Sequence, residues 1–230
     1  MDREQREVIE RIEGVLTPFL GIKDDDLCAK FNLTTRPKSL FGMLTSRMVP
    51  AALAEEAKRN NILLKSIRVN CAGRIVESMS FAAFNFQKII LENWPASELH
   101  DFFAKTAFLF VVYLETDKHY TLRRVIPWTM DEATLEGPVK TTWLKTVTAL
   151  RNGTVVKEVL VDGKGRAKPI SNFPGMSDNG VCHVRPHAQN ASDTLPLPYP
   201  DVLTGLKDYP KQAFWLNNSY LTKVISQYDI

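Results

Sequence analysis

The chain has 230 residues, 44% of them hydrophobic and 24% charged, enough apolar content to bury one sizeable core and too much for a disordered, collagen-like or low-complexity chain. Lysine plus arginine number 29 against 26 aspartate plus glutamate, and the net charge of +3 permits a polyanionic partner without arguing for one. The longest apolar run, Phe108 to Leu114, is about a third of a membrane span, and the first residues are charged rather than signal-like. A soluble, cytoplasmic protein with no membrane partner is expected. Cys28, Cys71 and Cys182 are odd in number and lack zinc-site spacing, so they read as reduced thiols.

In chain order, Val8, Ile9, Ile12, Val15, Leu16 and Phe19 recur at helical spacing and Gly21 follows, which predicts an amphipathic first helix. Asp24 to Asp26 read as caps of a short helix from Leu27 to Phe31. Further helices are predicted over Leu40 to Met48, ahead of Pro50, and over Ala51 to Arg59, ending at Asn60-Asn61. Ile62 to Val69 and Arg74 to Met79, joined through Gly73, read as a hairpin. Phe84 to Asn93 and Ser97 to Ala104 read as helices, Ala107 to Leu114 as a strand buried on both faces, and Tyr120 to Ile126 as its neighbour. Asp131 starts a helical turn that Gly137-Pro138 should interrupt, with Pro138 opening a second helix to Leu150. From Thr154 on, short strands, turns and six prolines between Pro169 and Pro200 precede a last helix near Asn218 to Gln227. The pattern predicts one mixed α/β domain over 1–230, a sheet flanked by helices, with sub-lobes at 1–150 and 151–230.

Chemistry concentrates in the first strand. Mg²⁺-dependent nucleases commonly present one acid, then several residues later an acid, any residue and a lysine on a strand. Alternation puts that second acid and the lysine on one face, where two carboxylates hold the metal and the lysine assists the attacking water. Here Lys65 follows Leu63 and Leu64, with Glu56 upstream and Glu77 on the next segment.

The run Ile62 to Val69 followed by Glu77 to Phe81 resembles the corresponding hairpin of the MutH family and its Sau-type, GATC-cutting restriction endonucleases. Phe108 to Tyr113 is similar to the family's buried central strand, Trp128 to Trp143 to its tryptophan-bounded helical segment, and Ala213 to Tyr220 to the aromatic stretch opening its last helix. His183-Val-Arg-Pro-His187, followed by Asp193-Thr194, resembles the restriction-enzyme branch. The resemblance implies a restriction-endonuclease-like, MutH-like fold. Lys65 matches the family lysine and Glu56 lies near the first acid, but Leu63 stands where the second acid belongs, and leucine offers no lone pair to a metal. Sau-type enzymes carry a catalytic N-terminal half and a C-terminal half that has lost its acids but still binds DNA, and this chain resembles the second. That implies no cofactor and no catalytic residue for this domain, with double-stranded DNA and a catalytic N-terminal half as partners. Glu77 swinging in to hold Mg²⁺ would rescue an active nuclease.

For DNA contact, Lys164, Arg166 and Lys168 alternate, so an extended segment would line them along phosphates or leave them as a solvated hairpin edge. His183, Arg185 and His187 alternate too, and Pro186 forbids the helix on which two histidines would share a zinc ion. They read as base-edge contacts or as a structural cluster. Lys211 and Trp215 precede the last helix, whose start at Asn217 or Asn218 would offer free amides to a phosphate. Trp215 reads as a DNA contact or as core. The expected function is sequence-specific DNA binding, with GATC implied by the resemblance, as a non-catalytic effector module. An active MutH-like endonuclease and a protein-interaction domain docking through Pro196 to Pro200 are the alternatives.

Overall fold

A computed structural model describes residues 1–161, 163, 165–190 and 192–229. The chain is mixed α/β and divides into two compact units, each assembled from separate stretches of sequence: Met1–Ser78, Phe102–Asp131 and Asn218–Ile230 in one, Met79–Asp101 and Glu132–Asn217 in the other. The division does not follow the expected sub-lobe boundary at residue 150.

In the first unit, helix α1 (Arg3–Leu16) starts at a capping box in which Asp2 accepts from the Gln5 amide and Gln5 reaches back to the Asp2 amide. Helices α2 (Asp24–Lys30), α3 (Leu40–Met48) and α4 (Ala51–Arg59) follow. Strand β1 (Ile62–Val69) pairs in parallel with β3 (Ala107–Thr116), which pairs antiparallel with β4 (His119–Trp128). The first seven residues of β3 are fully buried, as its unbroken apolar run requires. On one face of this mixed sheet, Ile62, Leu109, Val111 and Tyr113 join the core formed with Ile12, Leu16, Leu27 and Leu44. On the other, Phe108 and Phe110 pack with Trp128, which also meets Tyr220 of α9 (Asn218–Ile225).

The expected hairpin between Ile62 to Val69 and Arg74 to Met79 does not form. Asn70 closes a tight turn, accepting from the amides of Ala72 and Arg74 at 3.1 and 3.0 Å, and only one bridge, Val69 to Ile75, follows. Beyond that bridge the chain leaves this edge of β1 and from Met79 pairs in another sheet, while β3 pairs along the other edge of β1. Strand β2 (Met79–Ala83) belongs to the second unit, at the edge of a sheet ordered β2, β10 (Gln212–Leu216), β7 (Cys182–Pro186), all antiparallel.

The rest of that unit hangs on this sheet. The helix expected over Phe84 to Asn93 shrinks to one turn, α5 (Phe86–Ile89), and α6 (Glu98–Lys105) runs across the unit boundary. Gly137-Pro138 interrupts nothing. Helix α7 (Glu132–Thr134) passes through a π-helical turn, Leu135–Val139, straight into α8 (Lys140–Arg151), because the wider turn tolerates the amide that Pro138 lacks. Gly153 ends α8 at φ +63°, and a Cβ there would lie 2.9 Å from the Pro200 carbonyl oxygen, so only glycine fits. Two ribbons complete the unit, β5 (Val156–Val161) with β6 (Ala167–Ser171) and β8 (Thr194–Pro196) with β9 (Asp208–Pro210). Among the described residues no helix is long and apolar enough to cross a membrane.

Candidate DNA interface

Strand alternation sets Leu63 and Lys65 on one face of β1, opposite Phe108 and Phe110 of β3. Lys65 is half-buried, and desolvation lowers its pKa from the ordinary ammonium value. The two candidate acids have other partners. Glu56, on α4, forms an ion pair with Arg11 of α1. Glu77 pairs with Arg68 at 2.8 Å, and that guanidinium lies over the Phe41 and Tyr120 rings, on the face of β1 opposite Lys65. Mg²⁺ needs several oxygen ligands in near-octahedral array, so a leucine and two arginine-bound carboxylates do not fit it.

One acidic cluster escaped the sequence reading. Asp24, Asp25 and His119 bring ligand atoms within 4.8 Å of one another. Arg36 already compensates both carboxylates, reaching Asp24 at 3.0 Å and also Asp25, while the Tyr120 amide donates to Asp24 at 3.1 Å. The three aspartates expected as caps occupy the first turn of α2 itself, where they favour the helix dipole. Arg36 and His119 lie 12 and 95 residues from Asp24, so only the proximity of the acids was visible in the sequence.

Four of the expected DNA-contact residues, His183, Arg185, His187 and Trp215, meet at the sheet of the second unit. In the β7–β10 register His183 stands opposite Trp215 and Arg185 opposite Ala213, while Val184, Phe214, Cys182 and Leu216 point the other way into the core. Phe214 packs there on Phe84, with ring centroids 4.8 Å apart. On the first face the Arg185 guanidinium, on an exposed residue, lies 4.2 Å from the Trp215 ring centroid. The His183 ring stacks against Trp215 at 6.3 Å, and His187 meets it edge-on at 5.8 Å. His187 fixes its backbone by donating its amide to the Lys211 carbonyl at 2.8 Å. Trp215 is thus neither wholly core nor wholly surface. It is the half-buried platform on which one cation and two imidazoles rest.

His183 is only 2% exposed and is held from below by Asn217. The Asn217 side-chain amide donates to the Met176 carbonyl at 2.9 Å, which leaves its oxygen facing His183 Nδ1 at 2.5 Å. Nδ1 therefore carries the proton and donates, and Nε2 presents a lone pair. Nε2 and the Trp215 Nε1–H are both buried without a hydrogen-bond partner among the described residues. Asn217 does this work with its side chain, whereas the amides expected to meet a phosphate are taken: that of Asn217 donates to Val181 and that of Asn218 to Ser78 Oγ.

Burial lowers the His183 pKa below 6.5, the Asn217 hydrogen bond opposes this, and the charge of Arg185 adds to it. The folded chain thus binds this proton less readily than the unfolded chain. Stability contributed by the neutral ring is full above pH 6.5 and declines as pH falls below it. Chemical denaturation at about pH 7.5 and 5.5 is expected to show a loss that His183→Gln reduces, since ordinary carboxylates titrate below that window.

The remaining cations are placed differently. Lys211 is paired with Asp193 at 2.5 Å, and that hydrogen bond holds the Asp193 carboxyl below its usual range, so the charge of Lys211 is partly spoken for. Arg166 and Lys168 are exposed on the β5–β6 ribbon, Lys168 opposite Leu160. Lys164 lies outside the described residues.

No protein-family model matches the chain. The chain is similar to the type II restriction enzyme Sau3AI of Staphylococcus aureus, 30% identical over 90% of its own length, and it spans about half (49%) of that enzyme.

Proposed function

We propose that this chain is a sequence-specific double-stranded DNA-binding domain without nuclease activity of its own, equivalent to the C-terminal half of a Sau-type restriction endonuclease. Its site would be GATC. It would act as an effector module, so that occupancy here assists a catalytic N-terminal half in cutting another copy of the site. The observation that carries the reading is the face of β7 and β10, where Arg185, His183 and His187 gather around Trp215 in the pattern of donors, acceptors and a stacking surface that base edges require. The similarity to a type II restriction enzyme over half of that enzyme supports DNA as the partner. The identity of residue 63, with Glu56 and Glu77 paired to arginines, supports the lack of catalysis and of a metal requirement.

In this reading Arg166 and Lys168 track phosphates from the β5–β6 ribbon, Lys164 is assigned the same role from its spacing in the sequence alone, Arg185 and His187 address base edges, and Lys211 contributes what charge Asp193 leaves it. A gel-shift series with duplexes that carry or lack GATC, at two salt concentrations, tests it. The expected result is tighter binding to the GATC duplex at both salts, with log affinity falling by about 0.9 per neutralised phosphate for each unit of log salt. Equal binding to both duplexes would remove the specificity claim, and no retardation at low salt would favour a protein-interaction domain. Cleavage in Mg²⁺ that Lys65→Ala abolishes would establish the active nuclease instead.

A further inference from the structure

The Proposed function names a face but not what each side chain reads, and two orphaned polar atoms on that face go further. Buried polar atoms in folded proteins nearly always have partners, and one left without costs roughly 1 to 3 kcal/mol, so its persistence points to a partner that arrives later. His183 Nε2 is such an atom, on a side chain that is 2% exposed and directly opposite Trp215 in register. Its chemistry is fixed from behind. Asn217 cannot turn its amide without giving up the bond to the Met176 carbonyl, so Nδ1 stays the donor and Nε2 the acceptor. Arg185, two residues along the strand, offers only donors.

In the major groove, guanine and thymine present acceptors, whereas adenine N6 and cytosine N4 present amino hydrogens. An acceptor-only imidazole edge therefore selects amino-bearing bases, just as the guanidinium selects guanine. The two positions are about 6.6 Å apart along the strand, close to two base-pair steps, so a strand lying along the groove would present them to different base pairs. Arg185 is exposed and lies across Trp215, so its departure toward a base would open this part of the face.

Resting on the DNA-binding reading above, we infer that His183 is a specificity-determining residue whose Nε2 accepts an exocyclic amino hydrogen from adenine N6 or cytosine N4 of the bound site, and that Asn217 is the positioning residue that keeps Nε2 free to do so. The complex replaces a missing hydrogen bond in the free protein. The Trp215 indole N–H, orphaned beside it, would donate to a neighbouring acceptor on the same edge.

Binding of the full chain to GATC duplexes carrying N6-methyladenine or N4-methylcytosine tests this, because each methyl group replaces the amino hydrogen that faces the groove. One of the two modifications is expected to weaken wild-type binding about tenfold or more, and which one identifies the base. The same modification is expected to cost His183→Ala nothing further. A spectrum that needs no variant accompanies it: nitrogen-15 NMR of the free protein should show His183 protonated at Nδ1 and bare at Nε2, with the Nε2 resonance moving on addition of the GATC duplex. Tolerance of both methyl groups by a wild-type domain that still prefers GATC would overturn the assignment and leave the DNA-binding reading standing. Equal methyl sensitivity in His183→Ala, or a proton found on Nε2, would also overturn it. Loss of all preference for GATC would remove the underlying reading and the assignment with it.

Discussion

Replacing Arg185 by alanine is expected to lower affinity for a GATC duplex by about ten- to a hundredfold while leaving binding to unrelated duplexes largely unchanged. A guanidinium bidentate to guanine is worth roughly 1 to 3 kcal/mol of discrimination, whereas one phosphate contact weakens every sequence alike. In the free protein this guanidinium lies 4.2 Å from the Trp215 ring centroid, a contact that its move to a base would give up. Because Arg185 is exposed, the substitution removes only an exposed cation–π contact from the fold, roughly 0.5 to 1 kcal/mol. Titration of specific and unrelated duplexes at one salt concentration measures both effects. An equal loss on both would reassign Arg185 to the phosphate backbone.

The largest effect on stability is expected at Phe110. It is fully buried in β3, stacks on Trp128 at 5.5 Å, meets Phe108 at 6.0 Å and stands opposite Lys65 in the register. Phe110→Ala removes a fully buried aromatic ring and should cost about 3 to 5 kcal/mol in urea or thermal denaturation. A domain of this size holds only about 5 to 15 kcal/mol in total, so the variant is expected to fold marginally. A loss below about 1 kcal/mol would mean that the face of β1 and β3 carrying Lys65 is not packed as described. The contrast with Arg185→Ala is diagnostic, since one change should affect stability and the other recognition.

What the sequence made legible follows from how local each cause is. The bounds of α3 and α4 were readable because Pro50 and Asn60-Asn61 punctuate them, and β3 because its apolar run is unbroken. After β1, Gly73 marks a real turn, but the returning segment holds β1 through one bridge and from Met79 pairs with β10, near the end of the chain, which local spacing does not reveal. Likewise Gly137-Pro138 looks like a break until a π turn accommodates it. The interface shows the same split. Alternation put His183, Arg185 and His187 on one side of an extended segment, but their shared contact with Trp215 depends on the β7–β10 register, which spacing alone does not reveal. Asn217 drew notice for a helix-end amide, yet acts through a side chain 34 residues from its imidazole partner.

Whether this domain grips its duplex without cutting it is settled most directly by one incubation. Purified chain is mixed with a labelled duplex containing a single GATC in the presence of Mg²⁺, and the products are resolved both as complexes and as denatured strands. A retarded complex whose strands are of full length is the expected result, with competition by unlabelled GATC duplex stronger than by a permuted sequence. Shortened strands would show that a metal finds enough ligands beside Lys65 despite Leu63, and would contradict the central claim.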